Sequence, residues 1–288
     1  MSERNDLIWE DERTGLLQDI RGDLLRAKAD IMRQFDVFDE QYTSADIADI
    51  DNAEVRAVIE QYTPRKKYAE FAAAMEECDK KLEDKKLRWK EREEIRRKID
   101  SLKEGLALCG RIDAIDSRIS LYDLALGKTR DVTFGAVYRE DAWEPLHWIC
   151  AESDGERALL VAKSVVAWLP LHKAAEKVSW PQSALFEWLN GRFLAECMTE
   201  GERELMQTVT DKASGKEEKA FILSEEEARK YLADGLAADD RWWLRPEAEG
   251  ETAPTVETDG TVSEAGSGVE TVCGVRPALY VSLKMLAE

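Results

Sequence analysis

Histidine is nearly missing from the chain: His147 and His172 are the only two among 288 residues. A site that needs two or three imidazoles for acid–base work or a metal is thereby close to excluded. His147 and Cys150 lie three apart on an expected strand, so they point to opposite faces and cannot share a metal. The five cysteines, Cys78, Cys109, Cys150, Cys197 and Cys273, are odd in number and scattered, without the close pairs of a zinc site or disulfide scaffold. Reduced, mostly buried thiols are expected. The longest apolar run, Ala158 to Leu171, is broken by Lys163 and Ser164 and falls short of a hydrocarbon span of about 30 Å. Glu3, Arg4 and Asp6 stand where a secretory leader needs an apolar core, so the expectation is a soluble, cytoplasmic protein. Positive charge is in deficit too, 41 Lys plus Arg against 60 Asp plus Glu for a net −19. That balance argues against adsorption to anionic lipid or non-specific nucleic-acid binding as the main activity, and neither a membrane nor a nucleic acid is the expected partner. No Gly-x-x-x-x-Gly-Lys loop, strand-linked Gly-x-Gly-x-x-Gly or His-Glu-x-x-His occurs, and no cofactor or metal is expected.

What is present points to two domains. A chain of this length with 44% hydrophobic residues buries more than one ordinary core. Composition changes near Gly127, after which lie seven of the nine Trp and six of the seven Pro. Before it, Leu17, Leu24, Ile31 and Phe38 recur every seven residues with Ile20 and Ala27 between them, the pattern of a long amphipathic helix. A short helix is expected at 54–62, and Pro64 marks a restart. A second long pattern runs through Tyr68, Phe71, Met75, Cys78, Leu82 and Trp89, changes phase at Ile95, and continues to Ile119, with Gly105 and Gly110 as the positions that bend or break it. Residues 1–127 are therefore read as an α-helical coiled-coil hairpin or bundle, stopped by Gly127. Its stripes exceed what one hairpin covers, which leaves a homodimer and an intramolecular bundle both open.

Residues 128–288 are read as an α+β domain. Strands are expected at 130–138 and 145–152, with Asp154-Gly155 turning into a strand run over 157–166. Trp180-Pro181 opens a helix carrying Leu185, Trp188, Leu189 and Phe193 on one face, and two capping boxes follow, Thr199 with Glu202 and Ser224 with Glu227. Late strands are expected at 241–245 and 275–283. The acidic segment 246–272 between them contains the turn Asp259-Gly260 and reads as a solvated excursion.

Four segments, Ser183-Ala-Leu-Phe-Glu-Trp-Leu-Asn190, Phe221-Ile-Leu-Ser-Glu-Glu-Glu-Ala228, Trp242-Trp-Leu-Arg245 and Gly274-Val-Arg-Pro-Ala-Leu279, come with Phe134-Gly135 and His147-Trp148-Ile149. Together they resemble an uncharacterised bacterial domain family over about residues 130–284. That family is remotely similar to the C-type-lectin-like fold, which includes formylglycine-generating enzymes and the variable binding proteins of diversity-generating retroelements. The resemblance implies a small antiparallel sheet with about three helices, an irregular ligand-facing region at 246–272, and a final Gly-x-Arg strand closing beside the first strand. Activity does not carry over. The enzyme's close cysteine pair is absent, only Cys273 lying near the matching segment, and the lectins' Glu-Pro-Asn, Gln-Pro-Asp and Trp-Asn-Asp motifs do not occur.

Alternation on the late strand places Trp243 with Arg241 and Arg245, and Trp242 with Leu244 in the core. Trp243 and Arg245 are then candidates for one wall of a binding surface, with Arg276 as a buttress and Glu257 and Asp259 on the acidic excursion. The opposite charge gathers between Lys80 and Lys103, eleven basic residues against six acidic, where a solvated helix face competes with an acidic partner or RNA. The leading expectation is a non-enzymatic recognition protein: a helical stalk for assembly or partner contact and a C-type-lectin-like head that takes an unknown protein or small ligand. An enzyme of unknown reaction near Trp243, Arg245 and Cys273 is the alternative, and a coiled-coil assembly protein with a structural head is the third reading.

Overall fold

In a computed structural model, which describes residues 2–35, 37–38, 42, 47, 49–139, 142–211, 215–236 and 240–287, the chain is mixed α+β, with an N-terminal helical region and a C-terminal domain rich in antiparallel sheet. It divides into two compact units, Met1–Tyr122 with Ala136–Pro145, and Asp123–Gly135 with Leu146–Glu288. Among the described residues no helix is long and apolar enough to cross a membrane.

The helical region contains α1 (Ser2–Gln34), α2 (Ala53–Gln61), α3 (Arg65–Leu82) and α4 (Trp89–Ala125). Asn52 caps α2 by accepting from the backbone N–H groups of Glu54 and Val55, and Pro64 stands at the N-cap of α3. The second long pattern is thus two helices, and the break falls at 83–88 rather than at Gly105 or Gly110. Both glycines lie inside α4, and a Cβ on Gly105 would come within 2.7 Å of the Phe71 ring. Gly105 meets Phe71 while Gly110 meets Tyr68, so α3 and α4 run antiparallel and the missing side chain lets them approach. The α4 terminus is closed by bonds from Gly127 N–H to the Leu124 carbonyl and from Lys128 N–H to the Asp123 carbonyl.

The heptad reading of α1 is off by about one position. Leu17 and Ile31 are buried, but Ala27 is exposed and Lys28 is completely buried, and the inward face follows Leu25, Ala29, Met32 and Phe35. The reason is an ion pair: Lys28 lays its stem inside and places its ammonium 2.6 Å from Asp116 Oδ1. A count of apolar residues assigns Lys28 to solvent and Ala27 to the core. Trp89, assigned to the inner stripe, is also outside, at 72% exposure.

The strands in chain order are β1 (Asp131–Arg139), β2 (Ala142–Ser153), β3 (Arg157–Ala162), β4 (Ala167–Pro170), β5 (Met206–Gln207), β6 (Val209–Thr210), β7 (Glu217–Glu218), β8 (Ala220–Phe221), β9 (Trp242–Trp243), β10 (Thr252–Val256), β11 (Val262–Gly268), β12 (Val272–Val275) and β13 (Ala278–Ser282). One sheet has the order β1-β2-β3-β13-β5, with β8 also on β13; a second has the order β11-β10-β9-β12-β4. β3 is buried at Ala158 through Ala162, as a central strand covered on both faces must be. The helices here are α5 (Ala184–Trp188), which widens into a π-turn at Leu189–Phe193, then α6 (Leu194–Cys197), α7 (Glu200–Leu205) and α8 (Glu225–Ala233). Both expected capping boxes are formed, Thr199 with Glu202 and Ser224 with Glu227.

Two expectations are corrected. The last strand is two strands in two sheets, β12 and β13, because Pro277 offers no N–H to continue a ladder, and β13 lies between β3 and β5 while β1 is at the edge. The segment 246–272 is irregular only at its start. It then forms the β10–β11 hairpin, turned by Asp259-Gly260 and paired onto Trp242 and Trp243.

Candidate functional site

Trp242 and Trp243 are adjacent on a strand whose two faces are both covered, so alternation does not bring either to the surface: each is 0% exposed. The expected wall at Trp243 is therefore absent in this arrangement. Its indole N–H donates to the Leu169 carbonyl at 2.9 Å, a bond that ties β9 to β4. Arg276, 2% exposed, donates through Nε and Nη2 to the Ala162 carbonyl at 3.0 and 2.8 Å and lies 5.0 Å over the Trp242 ring. Its surroundings are those of a link between sheets, not a ligand-facing group.

Arg245 behaves differently. Two residues beyond β9, its backbone N–H donates to the Leu223 carbonyl, which carries the side chain toward the N-terminus of α8. The guanidinium reaches Glu218 Oε1 at 3.2 Å and Glu227 Oε2 at 3.5 Å, and sits 5.7 Å over the Phe221 ring. Glu218 is buried and also accepts from the Trp180 indole N–H at 2.8 Å. Burial pushes its carboxyl above the usual range, and the Trp180 bond and the Arg245 charge oppose that shift. Glu227 thus serves twice, as the cap of α8 and as a partner of Arg245.

These groups line a cleft of about 890 Å³. Trp180, Phe221 and Tyr280 supply aromatic surface; Asp211, Glu218, Glu226, Glu227, Glu247 and Glu249 supply six carboxylates, and Arg157 and Arg245 the two cations. Arg157 lies 4.9 Å over the Tyr280 ring, so both guanidiniums already rest on aromatic faces. The electrostatics favour a cationic or hydrogen-bond-donating ligand, and the volume is that of a small-molecule or side-chain site.

Of the five residues singled out from sequence, only Arg245 lines this cleft. Glu257 accepts from Arg241 Nε at 3.0 Å and Thr255 Oγ1 at 2.8 Å, and Asp259 accepts from the N–H and hydroxyl of Thr261 in its turn, which holds its carboxyl below the usual range. Both acids are engaged in shaping the β10–β11 hairpin. Sequence reasoning misses Glu218, Trp180 and Asp211, since they come from separate short elements with no shared motif. Cys273 is buried, and burial pushes its thiol pKa up, the reverse of an activated nucleophile. His172 accepts from the Ala184 N–H through Nδ1 at 3.3 Å and faces Glu176 through Nε2 at 3.0 Å, contacts that fix the ring in place. Among the described residues no group of three or more His, Cys, Asp or Glu could hold a metal ion.

Residues 155–283 match the family profile of a domain of unknown function (DUF6273). The match takes in all four motif segments and the cleft, and starts at the β2–β3 turn, so β1 and β2 lie outside it. No curated protein and no solved structure matches the chain.

Proposed function

We propose that the chain is a non-enzymatic recognition protein. Its head, residues 128–288, is of the C-type-lectin-like kind implied by the resemblance, and residues 1–127 are a coiled-coil stalk for assembly or partner contact. The observation that supports recognition is the acidic, aromatic-lined cleft around Arg245, with six carboxylates against two guanidiniums. Such a site takes a ligand carrying ammonium or guanidinium groups, whose charge is met by Glu226, Glu247 and Glu249 and whose alkyl part lies on the aromatic faces. Against the enzymatic alternative stand the buried Cys273 thiol and the hold of the Ala184 N–H on His172.

The test is calorimetry on the whole chain with two probes, spermidine and a lysine-rich peptide, repeated on the Glu247→Lys/Glu249→Lys variant. The expected result is salt-dependent binding of at least one probe that weakens about tenfold in the variant, or about 1.4 kcal/mol. No binding of either probe, or binding that ignores the charge reversal, overturns the reading.

A further inference from the structure

The turn between α3 and α4 reads Lys85-Lys86-Leu87-Arg88-Trp89-Lys90, four cations around an exposed indole. It is not a loose loop. Asp84 Oδ1 accepts from the Lys86 N–H, the Leu87 N–H donates to the Asp84 carbonyl, Glu91 accepts from the Arg88 N–H, and Arg92 spans the turn by donating to the Leu82 and Asp84 carbonyls. Trp89 is therefore held outward by a hydrogen-bonded frame.

Along the flanking helices Lys80 is paired with Glu76, Lys81 with Glu77 and Arg97 with Glu93. Arg88 is paired with Glu91, whereas Lys85, Lys86 and Lys90 are exposed and have no ion-pair partner among the described residues. Residues 83–91 hold four cations and the acids Glu83, Asp84 and Glu91, and three of the cations are exposed lysines that flank an exposed tryptophan.

We propose that this turn is a docking surface for an anionic lipid bilayer, with Trp89 entering the headgroup region and Lys85, Lys86 and Lys90 meeting the lipid charge. An indole flanked by ammonium groups suits that interface, since its ring is apolar and its N–H finds partners among headgroups. Among the described residues of the turn Trp89 is the one exposed aromatic. A single-stranded nucleic acid asks instead for a groove with successive stacking platforms, and an acidic peptide for a cleft. The net charge of −19 opposes adsorption of the chain as a whole, but acids farther than about 8 Å from the turn are largely screened at physiological salt. This surface shares no residue with the Arg245 cleft, and its test is independent of that reading.

The experiment is co-sedimentation of the whole chain with vesicles of phosphatidylcholine alone and of phosphatidylcholine mixed with phosphatidylglycerol, at two salt concentrations. Binding to the mixed vesicles only, falling with salt, is expected. Lys85→Glu/Lys86→Glu should lower the partition coefficient at least tenfold, as each cation near an anionic surface contributes about fivefold. Trp89→Ala should lower it about tenfold while leaving the circular dichroism unchanged. Absence from the mixed vesicles, or equal partition of all three proteins, overturns the proposal. So does charge-dependent retention on an oligonucleotide or an acidic peptide without vesicle binding, which would assign the turn to that class.

Discussion

The guanidinium of Arg245 lies 3.2 Å from Glu218 Oε1, and the Glu218 side chain is fully out of solvent while Arg245 keeps 22% of its own exposed. The pair is thus asymmetric: removing the arginine strands a buried carboxylate, with the Trp180 indole as its remaining direct donor. Arg245→Ala should cost about 3 to 5 kcal/mol, and adding Glu218→Gln should recover most of it, because the neutral amide needs no counter-charge. Urea denaturation of the two variants decides the matter. If the double variant is no more stable than the single one, Arg245 acts through packing on Phe221 rather than through charge.

The adjacent tryptophans also separate, though not as core against surface. Trp243→Ala and Trp242→Ala should each destabilise by about 3 to 5 kcal/mol, since both rings are fully buried. Phenylalanine tells them apart. The Trp242 indole N–H has no hydrogen-bond partner among the described residues, whereas the Trp243 N–H holds the Leu169 carbonyl. Trp243→Phe should therefore cost about 1 to 3 kcal/mol more than Trp242→Phe. Equal losses would show that the bond to Leu169 contributes nothing net.

These two cases mark what is legible in the chain. Capping boxes at Thr199 and Ser224, the hairpin turn at Asp154-Gly155 and the helix stop at Gly127 depend on neighbours within a few residues, so the sequence carries them whole. The burial of Lys28 depends on Asp116, 88 positions away, and that of Trp243 on a second layer over its strand; alternation and heptad counting see neither. The cleft is the extreme case. Arg245 stands out through the Trp-Trp-Leu-Arg segment, but Trp180, Asp211 and Glu218 meet it only because β7, β8 and the α8 N-terminus converge there.

Gly274 explains part of the Gly-Val-Arg-Pro segment in steric terms. A Cβ there would stand 2.5 Å from the Arg241 carbonyl oxygen and 2.6 Å from Val165 Cγ2, and the Gly274 N–H donates to that same carbonyl. Gly274→Ala should push β12 off β9 and cost about 1 to 3 kcal/mol, visible as a lower thermal midpoint. Wild-type stability in the alanine variant would mean that Val165 and the strand adjust freely.

Residues 128–288 should fold without residues 1–127. Because their sheets and paired strands are built from residues beyond Gly127, a fragment of residues 128–288 is expected to give one cooperative melt in calorimetry. A fragment that unfolds without a transition would move the boundary into the helical region.

The last prediction concerns Asp113, whose carboxyl is pushed up to about 7, first by burial and then by the neighbouring charge of Asp116, against the Tyr68 hydroxyl bond and the charges of Lys28 and Arg65. Burial raises Asp116 too, with Lys28 opposing the shift. For Asp113 the sign is set by proton binding: between about pH 4 and pH 7 the folded chain holds a proton that the unfolded chain has released. Stability should therefore fall as pH rises through that window and level off above it. An asparagine amide in place of the acid can still accept from Tyr68 but has no charge to desolvate. Asp113→Asn should thus leave stability near pH 4 unchanged and raise it at pH 8 by about 2 to 4 kcal/mol, after allowance for partial solvent screening. Urea midpoints at the two pH values measure it, and a variant that gains nothing at pH 8 would show that Lys28 and Arg65 already hold the Asp113 carboxylate at its ordinary pKa.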